Sequence, residues 1–252
     1  MKHNIQKRGG NFMKSKKKII GIVLLSIICI LILAIGIYLG NYSHSDPMVE
    51  EYLVSNDSVK VEQIDNYYYF DGPGEGTAIN FYPGAKVEAK SYAPLLHGLA
   101  EQGIDCFLVK MPFNMALLNS NAAEKIINNY NYENWYISGH SMGGVAATNY
   151  VIKNEDKVTG VILLASYPTK KIPDSVKLLS VYGSLDGVLN RENYNNGKQF
   201  WSKNSKEFEI TGGNHAQFGN YGEQKNDKKA DISAEEQQEQ TIRSIVGFIN
   251  EK

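Results

Sequence analysis

A chain of 252 residues with 26 Lys and Arg against 27 Asp and Glu carries a formal net charge of −1. Seven of those basic residues fall in the first 18 positions, where no acidic residue occurs, so the remainder sets 19 basic against 27 acidic side chains, about −8. An acidic remainder of this kind speaks against nucleic acid as a partner and against a domain lying flat on an anionic membrane surface.

The first element in chain order is apolar. Ile19 to Leu39 is almost uninterrupted hydrocarbon side chain, the length a helix needs to cross a bilayer. Lys2, Lys7, Arg8, Lys14, Lys16, Lys17 and Lys18 precede it, and Asp46, Glu50 and Glu51 follow it. This asymmetry predicts a single-pass anchor with the N-terminus inside and the rest of the chain outside the cytoplasmic membrane. The basic tail would lie against the inner leaflet. A cleaved signal peptide is the alternative, but the run exceeds a signal core and no A-x-A-like site follows it. The expected divisions are a basic tail over 1–18, an anchor over 19–40, a linker with edge strands over 41–75 and a catalytic domain over 76–252. Cys29 falls in the anchor and Cys106 in a strand pattern, so the domain is expected to fold without a disulfide.

Beyond the anchor, Val59–Phe70 suggests one or two antiparallel edge strands. Strand and helix patterns then alternate without a Pro/Gly/Ser-rich linker. A strand is expected near Ile79, a helix over Ser91–Gln102, a strand at Cys106–Val109 and a helix at Ala122–Asn129. The strand Trp135–Ser138 leads into a helix beginning after Ser141. Further strands fall at Val161–Ala165 and Leu178–Tyr182, a helix at Glu192–Trp201, a strand at Phe208–Ile210 and a last helix at Glu235–Asn250. Glu223 to Glu239, polar and charged, reads as a solvated loop leading into that helix. This alternation predicts one α/β domain with a mostly parallel central sheet and helices on both faces.

The chemistry concentrates at Gly139-His140-Ser141-Met142-Gly143-Gly144. A strand, a G-x-S-x-G turn and a helix place a serine on a sharp bend where neighbouring side chains would collide, so its neighbours must be small. The bend lifts Ser141 Oγ above the sheet, and the N–H of Met142 opens a helix where negative charge is stabilised. A serine nucleophile needs a base, and the base needs an orienting acid. His215, on the glycine-flanked loop Thr211–Gly219, is the one histidine after Ser141. Asp186 follows the strand between them, in Gly183-Ser184-Leu185-Asp186-Gly187, and is the favoured acid; Glu192 and Asp174 are alternatives. The second oxyanion donor is expected after the strand Thr77–Tyr82. Pro83 has no N–H, which leaves Ala85 or Gly84.

About a dozen residues separate the strand at Val161–Ala165 from the next, and Ser166–Pro173 is too short and proline-rich for a helical lid, so the site is expected to be open. Tyr82, Phe113, Tyr167 and Phe218 are candidates for its rim. No Cys or His pair has metal-ligand spacing, and Gly72-Pro73-Gly74-Glu75-Gly76 precedes a strand rather than a helix, so neither a metal nor a cofactor is expected.

From about Gly76 onward the chain resembles the α/β-hydrolase superfamily, and within it the small, lid-poor fold-5 group related to dienelactone-hydrolase-like enzymes. The resemblance rests on Ser141, Asp186 and His215, on Phe81–Glu88 and Met111–Ala116, and on the histidine loop Gly212–Gly222. It implies a hydrolase acting on a small-molecule or envelope acyl substrate. A serine stands where dienelactone hydrolases carry cysteine, which points toward ester-type acyl transfer. A carboxylic ester or thioester is the expected substrate; an extracytoplasmic acyltransferase and a non-catalytic binding module on the same fold are the alternatives.

Overall fold

The computed structural model describes residues 2–251, with side chains from Lys18 onward, in two units that divide between residues 41 and 42. The basic side chains from Lys2 to Lys17 lie outside the described residues. In the first unit, helix α1 (Lys2–Gly40) contains the 23-residue stretch Lys18–Gly40, within which an 18-residue window has a mean hydropathy of 3.2. That stretch is long and apolar enough to cross a membrane, and a signal sequence would meet the same criterion.

The second unit is built on one eight-stranded sheet. Its strands are β1 (Lys60–Ile64), β2 (Tyr67–Asp71), β3 (Thr77–Tyr82), β4 (Asp105–Val109), β5 (Asn134–His140), β6 (Gly160–Leu164), β7 (Lys177–Gly183) and β8 (Ser205–Ile210), in the spatial order β1-β2-β4-β3-β5-β6-β7-β8. Strands β1 and β2 form an antiparallel hairpin, and β2 joins β4 antiparallel. All other pairings are parallel. Of the one or two antiparallel edge strands expected over Val59–Phe70, two strands form, β1 at the sheet edge and β2 next to it.

The inner strands are buried on both faces, as helices α2 (Ala93–Glu101), α3 (Ala122–Asn129), α4 (Met142–Val151) and α6 (Ala234–Asn250) cover the sheet. On one face Leu95, Leu96 and Leu99 of α2 and Ile245 and Phe248 of α6 pack against Ile79, Leu108, Ile162 and Val181. On the other, Ile126 of α3 and Ala146, Ala147, Tyr150 and Val151 of α4 pack against Ala78, Phe107, Ile137 and Val161. The small residues of α4 let it lie close over the sheet centre.

Three boundaries differ from the sequence expectation for local reasons. The helix near Ser91 is a 3-10 turn over Ala89–Tyr92 that becomes α-helical only where Pro94 enters its first turn. The helix near Glu192 is α5 (Arg191–Gly197), continued as a 3-10 turn over Lys198–Phe200. Residue Ala165 ends β6 in the left-handed region at φ 48°. After the first helix, Ser43 bridges in parallel to Val87, and Val49 is fully buried in the 3-10 turn Pro47–Leu53.

Candidate active site

The parallel strands end side by side, with Tyr82 opposite Gly139, His140 opposite Leu164 and Gly183 opposite Ile210. Ser141, Asp186, His215 and the two candidate donors Gly84 and Ala85 all follow carboxyl ends of parallel strands, the edge at which open α/β sheets bind ligands.

Ser141 lies between β5 and α4 at φ 53°, ψ −122°, a conformation that costs a side-chain-bearing residue of order 1–3 kcal/mol. Its N–H donates to Leu164 O (2.9 Å) and its carbonyl accepts from Gly144 N–H (3.0 Å), which fixes the bend. The glycines around it are required by space. A Cβ on Gly139 would stand 2.4 Å from the Gly143 carbonyl carbon, and one on Gly143 would stand 2.1 Å from Tyr82 O. The start of α4 is thereby pressed at Gly143 against Tyr82 and Pro83 at the exit of β3.

The two candidate oxyanion donors after β3 are not equivalent. The Gly84 N–H donates to the buried Tyr92 hydroxyl (3.1 Å). Ala85, partly exposed, makes no backbone hydrogen bond through its N–H among the described residues. Of the pair, Ala85 therefore has the N–H free for a ligand.

Asp186 and His215 are brought together. The His215 Nδ1–H donates to Asp186 Oδ2 at 2.8 Å, with both side chains buried. The other carboxylate oxygen accepts from the Val188 and Leu189 N–H groups at 2.9 and 2.7 Å. A carboxylate bonded in this way has one orientation. The alternatives fall elsewhere. Glu192 is exposed at the start of α5, and Asp174 is paired with Lys171 and Lys203 before β7 begins, which pulls its carboxyl to about 2.

The ring of His215 stands 4.5 Å from that of His140, the residue directly before Ser141. His215 Nε2 is buried and makes no hydrogen bond among the described residues, with Ser141 Oγ or any other atom. Contacts between base and nucleophile are often loose before substrate binds.

Several residues with no motif to mark them support this arrangement. The Tyr92 hydroxyl, having accepted from Gly84, lies 2.8 Å from His140 Nδ1. It links the β3 exit turn to the residue beside the serine. Burial, with the neighbouring His215, holds His140 well below its ordinary pKa, and in its neutral form Nδ1 accepts a hydrogen bond from the Tyr92 hydroxyl.

Asp227 joins the loops of Asp186 and His215. It accepts from Gly187 N–H, directly after Asp186, and from Ala216 N–H, directly after His215, both at 2.9 Å. Gly187 must be glycine here, since a Cβ would stand 2.6 Å from Asn226 O. Gln237 of α6 exchanges two hydrogen bonds with the backbone of Asn214. The stretch 223–239 is therefore only partly the solvated loop expected from its composition, because Asp227 and the buried Gln237 turn inward to hold the histidine loop.

Two of the four rim candidates are corrected. Tyr82 is fully buried, with its hydroxyl donating to Ser120 O and accepting from Ala123 N–H, both at 2.9 Å. Phe218 is fully buried against the ring of His140, 5.6 Å away. Strand alternation turns the first into the core, and a 3-10 turn over Ala216–Phe218 turns in the second. Phe113 is exposed on a turn tied to the β3 exit loop by the Lys86 N–H, which donates to Asn114 O (2.7 Å). Tyr167 is partly exposed against the small cluster of Tyr182, Leu189 and Tyr194.

No curated protein matches the sequence. Among solved structures, a ferulic acid esterase from Streptomyces cinnamoneus superposes with a TM-score of 0.59 at 14% identity, over 71% of this chain and 68% of that one. A dienelactone hydrolase from Anabaena variabilis superposes at 0.55 with 11% identity, over 76% and 97%. Est1E from Butyrivibrio proteoclasticus does so at 0.54 with 15% identity, over 77% and 100%. At such identities the likeness is one of fold. A family model described as the alpha/beta hydrolase family matches residues 78–239, from β3 into α6. The chain belongs to the alpha/beta hydrolase family.

Proposed function

We propose that this protein is a membrane-anchored serine hydrolase that cleaves a carboxylic ester or thioester through an acyl-enzyme on Ser141. The observation that carries the reading is the buried His215–Asp186 hydrogen bond, at the strand ends where the Ser141 elbow also lies. The esterases among the similar structures accord with it.

In this reading His215 Nε2 takes the Ser141 hydroxyl proton as Oγ attacks the acyl carbonyl. Asp186 keeps the Nδ1 proton and stabilises the imidazolium. The carbonyl oxygen, now negative, receives the N–H groups of Met142 and Ala85. As the tetrahedral adduct collapses, His215 returns its proton to the leaving alcohol or thiol. Water, deprotonated by the same nitrogen, then attacks the acyl carbon, the bond to Oγ breaks as His215 returns the proton to Oγ, and the carboxylic acid leaves. The apolar helix anchors the chain in the cytoplasmic membrane with the catalytic domain outside, by the charge asymmetry around it.

A pre-steady-state experiment tests the reading. With an activated ester in excess, the full chain should release one equivalent of alcohol in a burst, and mass spectrometry should find the acyl group on the Ser141 peptide. Turnover without a burst, and with the acyl group on another residue, would refute it.

A further inference from the structure

We propose that the exposed apolar surface formed by Phe113, Leu117, Leu118 and Met142 is the subsite for a hydrocarbon acyl chain, so that the substrate is an ester of a medium- or long-chain fatty acid. This inference rests on the proposed role of Ser141 and adds the chemical class of the acyl group.

Seven large apolar side chains of the second unit are exposed among the described residues, and four of them belong to this set. Phe113 and Leu118 are about 60% exposed, Leu117 and Met142 about 40%. The other three, Met48, Val54 and Phe208, lie apart on the first 3-10 turn, the chain just after it and the edge strand. Single exposed apolar residues need no explanation, whereas a group beside one site does.

Their placement is fixed by the backbone. Met142 is the residue after the candidate nucleophile and begins α4, against which the turn Ala116–Asn119 packs. Phe113 belongs to the preceding turn, held by Asn114 N–H to Met111 O and Met115 N–H to Pro112 O, both at 3.0 Å. Lys86 N–H to Asn114 O fastens that turn to the loop carrying Ala85. The apolar set therefore borders both proposed oxyanion donors, and an acyl group on Ser141 with its oxygen between those donors has this surface next to its chain.

The backbone is strained where it presents the largest of these side chains. Phe113 and Asn114 both lie in the left-handed region, at φ 53° and 54°, where a bulky residue is an outlier. A turn satisfied by glycine instead carries a phenylalanine pointing to solvent. Strain retained at an exposed aromatic beside a candidate nucleophile fits a binding role better than a folding one. No residue of the set carries a charge, and a hydrocarbon chain is the ligand that such a surface desolvates without penalty. A bilayer, which the apolar helix is proposed to span, supplies esters of this class.

The test uses the full chain in lipid nanodiscs, with p-nitrophenyl esters from acetyl to decanoyl, and a fluorophosphonate label to report the nucleophile independently. The expected result is labelling, with kcat/KM rising about twofold per added CH2, half the exponent of full burial. In Phe113→Ser/Leu118→Ser, with an unchanged melting temperature, the rise per CH2 should flatten; partition of the esters into lipid is common to both proteins and cancels. Labelling with a flat or falling series, or an equal slope in wild type and variant, overturns the acyl-chain subsite and leaves the hydrolase reading standing. In a parallel series of alkyl acetates from ethyl to decyl, a rise with alcohol chain length beside a flat acyl series also overturns it, by assigning the surface to the leaving group. Neither labelling nor turnover removes the Ser141 reading and this inference together.

Discussion

Asp227 bonds the backbone of both residues that follow Asp186 and His215, accepting from Gly187 N–H and Ala216 N–H at 2.9 Å each. One carboxylate therefore sets the spacing of the loops that carry Asp186 and His215. In Asp227→Ala both N–H groups lose their acceptor, and we expect a loss of about 1–3 kcal/mol in stability. The loss in kcat should be about tenfold or more, with KM little changed, because misplacement of the base acts on the reaction rather than on binding. Asp227→Asn, which keeps one acceptor, should fall between the two. Steady-state kinetics beside urea melts check this; a stability loss with unchanged kcat would make Asp227 a fold residue only.

Asp186→Asn should keep the fold, since an amide oxygen can still accept from Val188 and Leu189. It should lower kcat by roughly 10³–10⁴-fold, because a neutral amide neither holds the Nδ1–H tautomer nor stabilises the imidazolium. Esterase assays together with a melting curve measure both. Asp174→Asn, at a site paired only with surface lysines, should leave kcat within about twofold.

Tyr92→Phe removes the one acceptor of the Gly84 N–H and the partner of His140 Nδ1. Two buried polar atoms lose their partners, so stability should fall by about 1–3 kcal/mol. The β3 exit turn, which carries Ala85, should lose its fixed position. Denaturant melts and the rate of acyl-enzyme formation report the two effects, and a neutral variant by both would contradict the link.

His140 and His97 both have lowered pKa values, from burial first, opposed at His97 by Glu101 and reinforced at His140 by the His215 charge. In the unfolded chain each regains an ordinary value near 6.5. Below that pH the unfolded state binds more protons than the folded one, so stability is full above about 6.5 and declines as pH falls below it. The slope is at most about 1.4 kcal/mol per pH unit for each histidine. Urea melts between pH 7.5 and 5.5 should show this decline, and His140→Asn should lessen it. An unchanged slope in the variant would mean that His140 is not held neutral.

The residues legible in the sequence were those under a strong local constraint. Gly139 and Gly143 must lack a Cβ, and Ser141 must stand on a strained bend, so the elbow is written in consecutive residues. The parallel sheet was legible from its apolar strands, and Asp186 and His215 from their places after two of them. The supporting contacts were not, for a physical reason. Tyr92, Asp227 and Gln237 act through single hydrogen bonds across the fold, and a polar residue that turns inward has no periodicity to distinguish it from one facing water. Tyr82 and Phe218 erred in the opposite direction: an aromatic next to a site motif is equally compatible with rim and core, and here the sheet's alternation and a 3-10 turn decide for the core.

Activation of Ser141 by His215 is measured by covalent labelling of the full chain in nanodiscs with a fluorophosphonate probe, beside Ser141→Ala and His215→Ala. The wild-type protein should be labelled at Ser141, Ser141→Ala not at all, and His215→Ala at a rate lowered by at least about 10³-fold. Labelling that persists in Ser141→Ala, or that is as fast without His215 as with it, would mean that Ser141 is not a nucleophile activated by His215.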